Sequence, residues 1–105
     1  MADLSQEDWT KKLEEDNNSI VLDVRTQEEM DLGIIPNSID IDIYKGQGFI
    51  DEIQQLDKTK TYYVYCRSGN RSGQACAIMS QLGFSNAYNL IGGFNDWKGD
   101  VAYQE

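Results

Sequence analysis

The stretch Ile20-Val21-Leu22-Asp23-Val24 is short and almost uninterrupted in apolar side chains. A strand with one wet face would alternate apolar with polar residues. A near-continuous run fits a strand covered on both faces, as in a parallel sheet flanked by helices. Thr61-Tyr62-Tyr63-Val64-Tyr65 is a second such segment, rich in β-forming residues, and Ala87-Tyr88-Asn89-Leu90-Ile91 is a third. Helical patterns lie between them. This alternation predicts an α/β fold of three layers, a central parallel sheet with helices on both faces.

The helix signals are local. Ser5 is suited to an N-cap, Glu7 and Asp8 to the first turn, and Leu4 and Trp9 to a hydrophobic staple. Leu13 continues the apolar face, and Asp16-Asn17-Asn18 closes the helix. Thr26 and Glu29 have the spacing of a capping box, and only a short helix fits before Gly33 and Pro36. Ser38 to Ile43 alternates strictly and predicts a strand with one polar face. Phe49, Ile50, Ile53 and Leu56 have helical spacing within 47–57. Ser72 is placed to cap a further helix, with Ala75, Cys76, Met79 and Leu82 on one face and Gly83 just past its end. Gly92-Gly93 turns the chain, and Phe94 to Trp97 opens a last short helix. The 105 residues, with one proline and no internal repeat or linker, predict a single domain over 1–105.

Eighteen acidic against nine basic residues give a net charge of −9, which repels phosphate backbones and argues against a nucleic-acid partner. No apolar run approaches the ~20 residues that span a bilayer, so no membrane partner is expected. Met1-Ala2-Asp3-Leu4-Ser5 lacks the basic start and apolar stretch of a secretory signal, and the cytoplasm is the expected compartment. The three arginines are Arg25, Arg67 and Arg71, and two of them fall within Cys66-Arg67-Ser68-Gly69-Asn70-Arg71. An acidic chain with this clustering has the makings of a small-anion site.

Histidine is absent, and Cys66 and Cys76 are the only cysteines. No zinc-ligand spacing exists, so neither a metal nor another cofactor is expected. A Cys-His or Ser-His catalytic pair is equally excluded within the chain. Cys76 lies on the apolar helix face and reads as structural. Cys66 follows a strand and precedes a helix, where ligands gather in parallel sheets. There the helix N-terminus and loop N–H groups act on one point, with Gly69 and Asn70 able to adopt left-handed conformations. Such surroundings favour a thiolate at Cys66, with Arg67 and Arg71 adding positive charge.

Three motifs carry a resemblance over roughly Leu4 to Trp97. They are Asp23-Val24-Arg25-Thr26-Gln27-Glu28-Glu29 with Gly33-Ile34-Ile35-Pro36; Cys66-Arg67-Ser68-Gly69-Asn70-Arg71-Ser72; and Leu82-Gly83-Phe84 with Asn89-Leu90-Ile91-Gly92-Gly93-Phe94 and Trp97. With these motifs the chain resembles the rhodanese-like domains, the sulfurtransferases. The resemblance implies a rhodanese fold and a double displacement. Cys66 would take a sulfane sulfur from thiosulfate or a related donor and pass the persulfide sulfur to cyanide, a thiol or a protein acceptor. It implies substrate contacts from Arg67, Ser68, Gly69, Asn70 and Arg71. Asp23, Arg25 and Glu29 match the family's motif, and pairing of Glu29 with Arg25 would account for them structurally. Two departures touch the pocket wall: Ile34 stands where the family often has histidine, and Asn37-Ser38 follows the proline where Gly-Ala is usual.

Two other functions compete. Phosphatases and arsenate reductases of the related type place five residues between cysteine and arginine. Here four residues separate Cys66 from Arg71, a tighter loop that suits sulfur better than phosphate. A protein persulfide carrier or regulatory module would use the same Cys66 with poor small-molecule turnover.

Overall fold

Strands β1 (Ala2–Leu4), β2 (Ser19–Asp23), β3 (Ile39–Asp40), β4 (Thr61–Tyr65) and β5 (Asn86–Leu90) form one sheet in the order β1-β5-β4-β2-β3, every pair parallel. The computed structural model describes residues 2–104. Helices α1 (Gln6–Glu14), α2 (Gln27–Met30), α3 (Gln47–Gln54) and α4 (Asn70–Gln81) fill the connections, with 3₁₀ turns at Ile43–Lys45 and Gly93–Asp96.

The central strand β4 explains the layering. Successive side chains alternate between faces. Tyr62 and Val64 join Phe49, Ile53, Ala75 and Met79 in a core beneath α3 and α4. Tyr63 and Tyr65 join Trp9 and Leu90 in a second core, with Phe94 and Trp97 packed against it. Helices therefore cover both faces, as expected. The buried tyrosines of β4 each satisfy their hydroxyl. Tyr62 donates to Asp57 O at 2.7 Å, and Tyr63 donates to Asp16 Oδ2 at 2.8 Å. The Tyr65 hydroxyl accepts from Ile35 N at 3.1 Å.

The local signals at the helix ends hold. Ser5 caps α1 by accepting from Asp8 N at 3.2 Å. Thr26 and Glu29 make the reciprocal capping box of α2. Gly83, with φ +97, follows the end of α4.

Ala2–Leu4 adds an edge strand, so Leu4 belongs to β1 as well as flanking the α1 cap. Two expectations are corrected. The strand expected over 38–43 is confined to Ile39–Asp40. Beyond it the chain still hydrogen-bonds to the sheet end, Ile41 N to Asp23 O at 2.9 Å and Ile43 N to Val24 O at 3.2 Å. Asp42 Oδ1 then accepts from Tyr44 N and folds the chain into a 3₁₀ turn. Finally, α4 begins at Asn70 behind Gly69, so Ser72 lies inside the helix and is not its cap.

Candidate active site

Cys66 is the first residue past β4, and the loop Cys66–Gly69 delivers the chain into α4. Gly69 makes the turn, with φ +104, a backbone state that other residues rarely adopt. A Cβ there would also lie 3.2 Å from Leu90 O. Asn70 is helical and does not share the left-handed conformation.

The turn that follows β5 aims the loop. Phe94 N donates to Cys66 O at 2.9 Å, and Asn95 N donates to Arg67 O at 3.0 Å. In a trans peptide the N–H opposes the carbonyl. Holding these two carbonyls therefore turns the N–H groups of Arg67 and Ser68 away from the 93–96 turn. Gly93 allows this approach: with φ +55, any Cβ would fall 2.5 Å from Cys66 O.

Cys66 is buried, and its Sγ accepts from Gly69 N at 3.1 Å and from Ser72 Oγ at 3.3 Å. Burial pushes the thiol up, but the Ser72 hydroxyl and the N–H groups of Ser72, Gly69 and Ser68 outweigh it and set Cys66 below an ordinary cysteine. Cys76 shows the opposite balance. It lies in the apolar core, and burial pushes it up to about 12.

The arginines divide. Arg67 is exposed, approaches Asn95 Oδ1 at 3.4 Å, and lines a cleft of about 310 Å³ with Arg25, Glu29, Leu32, Phe94 and Asn95. Arg71 is tied to Glu29 by two hydrogen bonds, at 2.6 and 2.8 Å. That pair holds the Glu29 carboxyl down at about 2. The expected Glu29–Arg25 pair is thus replaced. Arg25 instead binds Asp23 through Nε and Nη2, and Nη2 also donates to Gly33 O at 2.8 Å. Both partners of that pair are buried.

The structure gathers the backbone N–H groups of Ser68, Gly69 and Ser72 and the Ser72 hydroxyl around the sulfur, while residues Ser68 and Asn70 are exposed at the surface. The importance of Ser72 was not read from the sequence. Its signal was there: Ser72 shares the i, i+3, i+4, i+7 face with Ala75, Cys76 and Met79, so its hydroxyl had to be buried and bonded. Asn89, which receives the Ser72 hydroxyl and reaches Asp3, was also missed because its partners are distant in sequence.

A buried sulfur held by converging donors at a helix N-terminus can bear negative charge at the end of β4. The sequence profile described as a rhodanese-like domain matches residues 6–100. A sulfurtransferase from Allochromatium vinosum is 30% identical over 95 residues, covering 90% of this chain and 86% of that protein. The adenylyltransferase and sulfurtransferase UBA4 from Candida albicans is 29% identical over 103 residues, covering 93% of this chain and 24% of that protein. The crystal structure of a rhodanese-like domain protein from Staphylococcus aureus superposes with a TM-score of 0.84 at 29% identity, with full coverage of both chains.

Proposed function

Because the chain belongs to the rhodanese-like domain family, we propose that it transfers sulfane sulfur through a persulfide on Cys66. The observation that carries this reading is the pair of hydrogen bonds to Cys66 Sγ, from Gly69 N and Ser72 Oγ, at the N-terminus of α4. They favour the thiolate, which is the nucleophilic form.

Two displacements complete the cycle. In the first, the Cys66 thiolate attacks the outer sulfur of thiosulfate. The new S–S bond forms, the bond to the sulfonate breaks, and sulfite leaves with the electron pair. The product is a Cys66 persulfide anion. In the second, cyanide or a thiolate attacks the terminal sulfur, and the electron pair returns to Cys66 Sγ. Arg67, exposed on the cleft, is the contact for the donor's sulfonate, while the loop N–H groups hold the sulfur. Arg71 acts through Glu29 to fix the loop against α2.

A protein acceptor is the second reading. It is favoured by Leu32, which is 80% exposed beside Arg67 on the cleft and offers an apolar contact that a small anion does not use.

Digestion and mass spectrometry after incubation with thiosulfate test the persulfide, with a reducible sulfur adduct expected on the Cys66 peptide. An adduct confined to the Cys76 peptide overturns the assignment. Comparing thiosulfate–cyanide turnover with transfer to a thiol-bearing protein separates small-molecule enzyme from carrier.

A further inference from the structure

Ser72 has one hydroxyl proton and two acceptors within reach, Cys66 Sγ at 3.3 Å and Asn89 Oδ1. A hydroxyl donates one hydrogen bond, so the two acceptors compete. Asn89 cannot turn away, because its Nδ2 donates to Asp3 Oδ1 and to Gly69 O, each at 3.0 Å. Those bonds fix Oδ1 toward Ser72. Both residues are buried, so neither acceptor is freely exchanged to water.

We propose that the Ser72 hydroxyl switches between Asn89 and Cys66 during the reaction, and that Asn89 is a positioning residue which sets how strongly Cys66 holds negative charge. The inference rests on the reading of Cys66 as the sulfur-carrying nucleophile.

In the thiolate the charge is on Sγ, and the hydroxyl turns to it. In the persulfide the charge lies on the outer sulfur. Sγ is then a neutral divalent sulfur and a weak acceptor, so the hydroxyl returns to Asn89 Oδ1. During discharge an acceptor thiolate attacks the outer sulfur. The new S–S bond forms, the bond from Sγ to the outer sulfur breaks, and the electron pair stays on Sγ. No proton leaves Ser72; its O–H rotates to meet the charge as it arrives. Asn89 thus gives the hydroxyl a resting place that the thiolate must draw it from, which keeps the leaving thiolate from being bound too tightly to be recharged.

Other charges act on Cys66 as a fixed background. Arg71 reaches it from α4 with Glu29 of α2 behind, Asp3 of β1 stands behind Asn89, and Arg67 is exposed on the loop.

The test is thiolate absorbance near the ultraviolet edge against pH, in proteins with Cys66 as the titrating thiol. Ser72→Ala should raise the midpoint and slow alkylation by iodoacetamide at fixed pH about tenfold or more, the loss of one hydrogen bond to a charged group. Asn89→Leu removes the competing acceptor at similar volume, and Gly69 O keeps its bond from Gly73 N. It should lower the midpoint. In the Ser72→Ala background, Asn89→Leu should change nothing further. A raised midpoint in Asn89→Leu, or an added shift in the double variant, overturns the proposal, since a merely structural asparagine would behave so. If Asn89→Leu does not fold, the wild-type protein answers by NMR. The Asn89 carboxamide carbon should follow Cys66 ionisation in wild type and lose that response in Ser72→Ala; an unresponsive signal in wild type overturns the switch. Failure of wild type to form a sulfur adduct would instead remove the persulfide reading and leave these titrations standing.

Discussion

Arg71 meets Glu29 in a paired arrangement, Nη1 to Oε1 at 2.6 Å and Nη2 to Oε2 at 2.8 Å, joining the first turn of α4 to the first turn of α2. The same carboxylate closes the Thr26 capping box. The Glu29 side chain therefore ties together two helix starts. Glu29 is held at about 2, against an ordinary 4.5. A depressed carboxyl stabilises the fold above its unfolded value, and that contribution is lost as pH falls through the folded one. Glu29→Gln should thus cost about 1.5 kcal/mol at neutral pH, the low end for a charge-assisted bond because the pair is partly exposed. The deficit should shrink as pH falls from 4.5 toward about 2. Urea unfolding of both proteins across that window measures it.

Arg67 and Arg71 should separate kinetically. Arg67→Ala should raise KM for thiosulfate about ten- to a hundredfold with kcat little changed, because it removes the charge-assisted contact proposed for the donor. Arg71→Ala should lower Tm and kcat together by loosening the loop. Steady-state kinetics and thermal melts distinguish them, and identical profiles would refute the division.

The Asp23–Arg25 pair is buried, with the guanidinium also stacked 4.5 Å from the Phe94 ring. Arg25→Leu should destabilise by about 3–5 kcal/mol, since a buried carboxylate is left unpaired. Asp23→Asn with Arg25→Leu should recover part of that loss. Chemical denaturation of the single and double variants reads the difference.

Gly93→Ala should displace the loop at Cys66 and Arg67, because the added Cβ meets backbone there at 2.5 to 2.6 Å. The expected result is a raised Cys66 titration midpoint together with reduced stability. A variant that keeps the wild-type midpoint would show that the carbonyl anchors do not orient the loop.

Selective labelling checks the two cysteines. At mildly alkaline pH iodoacetamide should modify Cys66 and spare Cys76, which burial pushes up to about 12. Peptide mass spectrometry gives the ratio, and Cys76→Ala should leave the Cys66 rate unchanged.

What could be read from the chain follows interaction range. Thr26 and Glu29 are three residues apart, and their capping box is written in the sequence. The same holds for Gly83 after α4 and for the apolar runs of β2 and β4. The partner of Glu29 was not legible, because Arg71 is 42 residues away and Arg25 is a closer cation in sequence. The alternation of Ser38 to Ile43 fits a strand, yet sheet pairing ends after Asp40, where the Asp42 side chain bonds the backbone and bends it. β1 carries two exposed residues in three and no periodic signal, so only its pairing with β5 defines it. At the site, Cys66 and its loop stood out by composition. Ser72 and Asn89 did not, since each does its work through contacts made across the fold.

The link between β1 and β5 also bears on how the molecule opens. Asp3 and Asn89 are 86 residues apart, so their contact closes most of the described chain. A three-residue edge strand paired with β5 alone is held by few bonds, and it can open while the rest of the sheet stays folded. Amide hydrogens in β1 should therefore exchange with solvent well before those of β4, and lifting of β1 should be the lowest-energy excursion of the sheet. Because Asp3 braces Asn89, each such excursion also frees the support behind the Cys66 sulfur, coupling its environment to breathing at the margin of the fold.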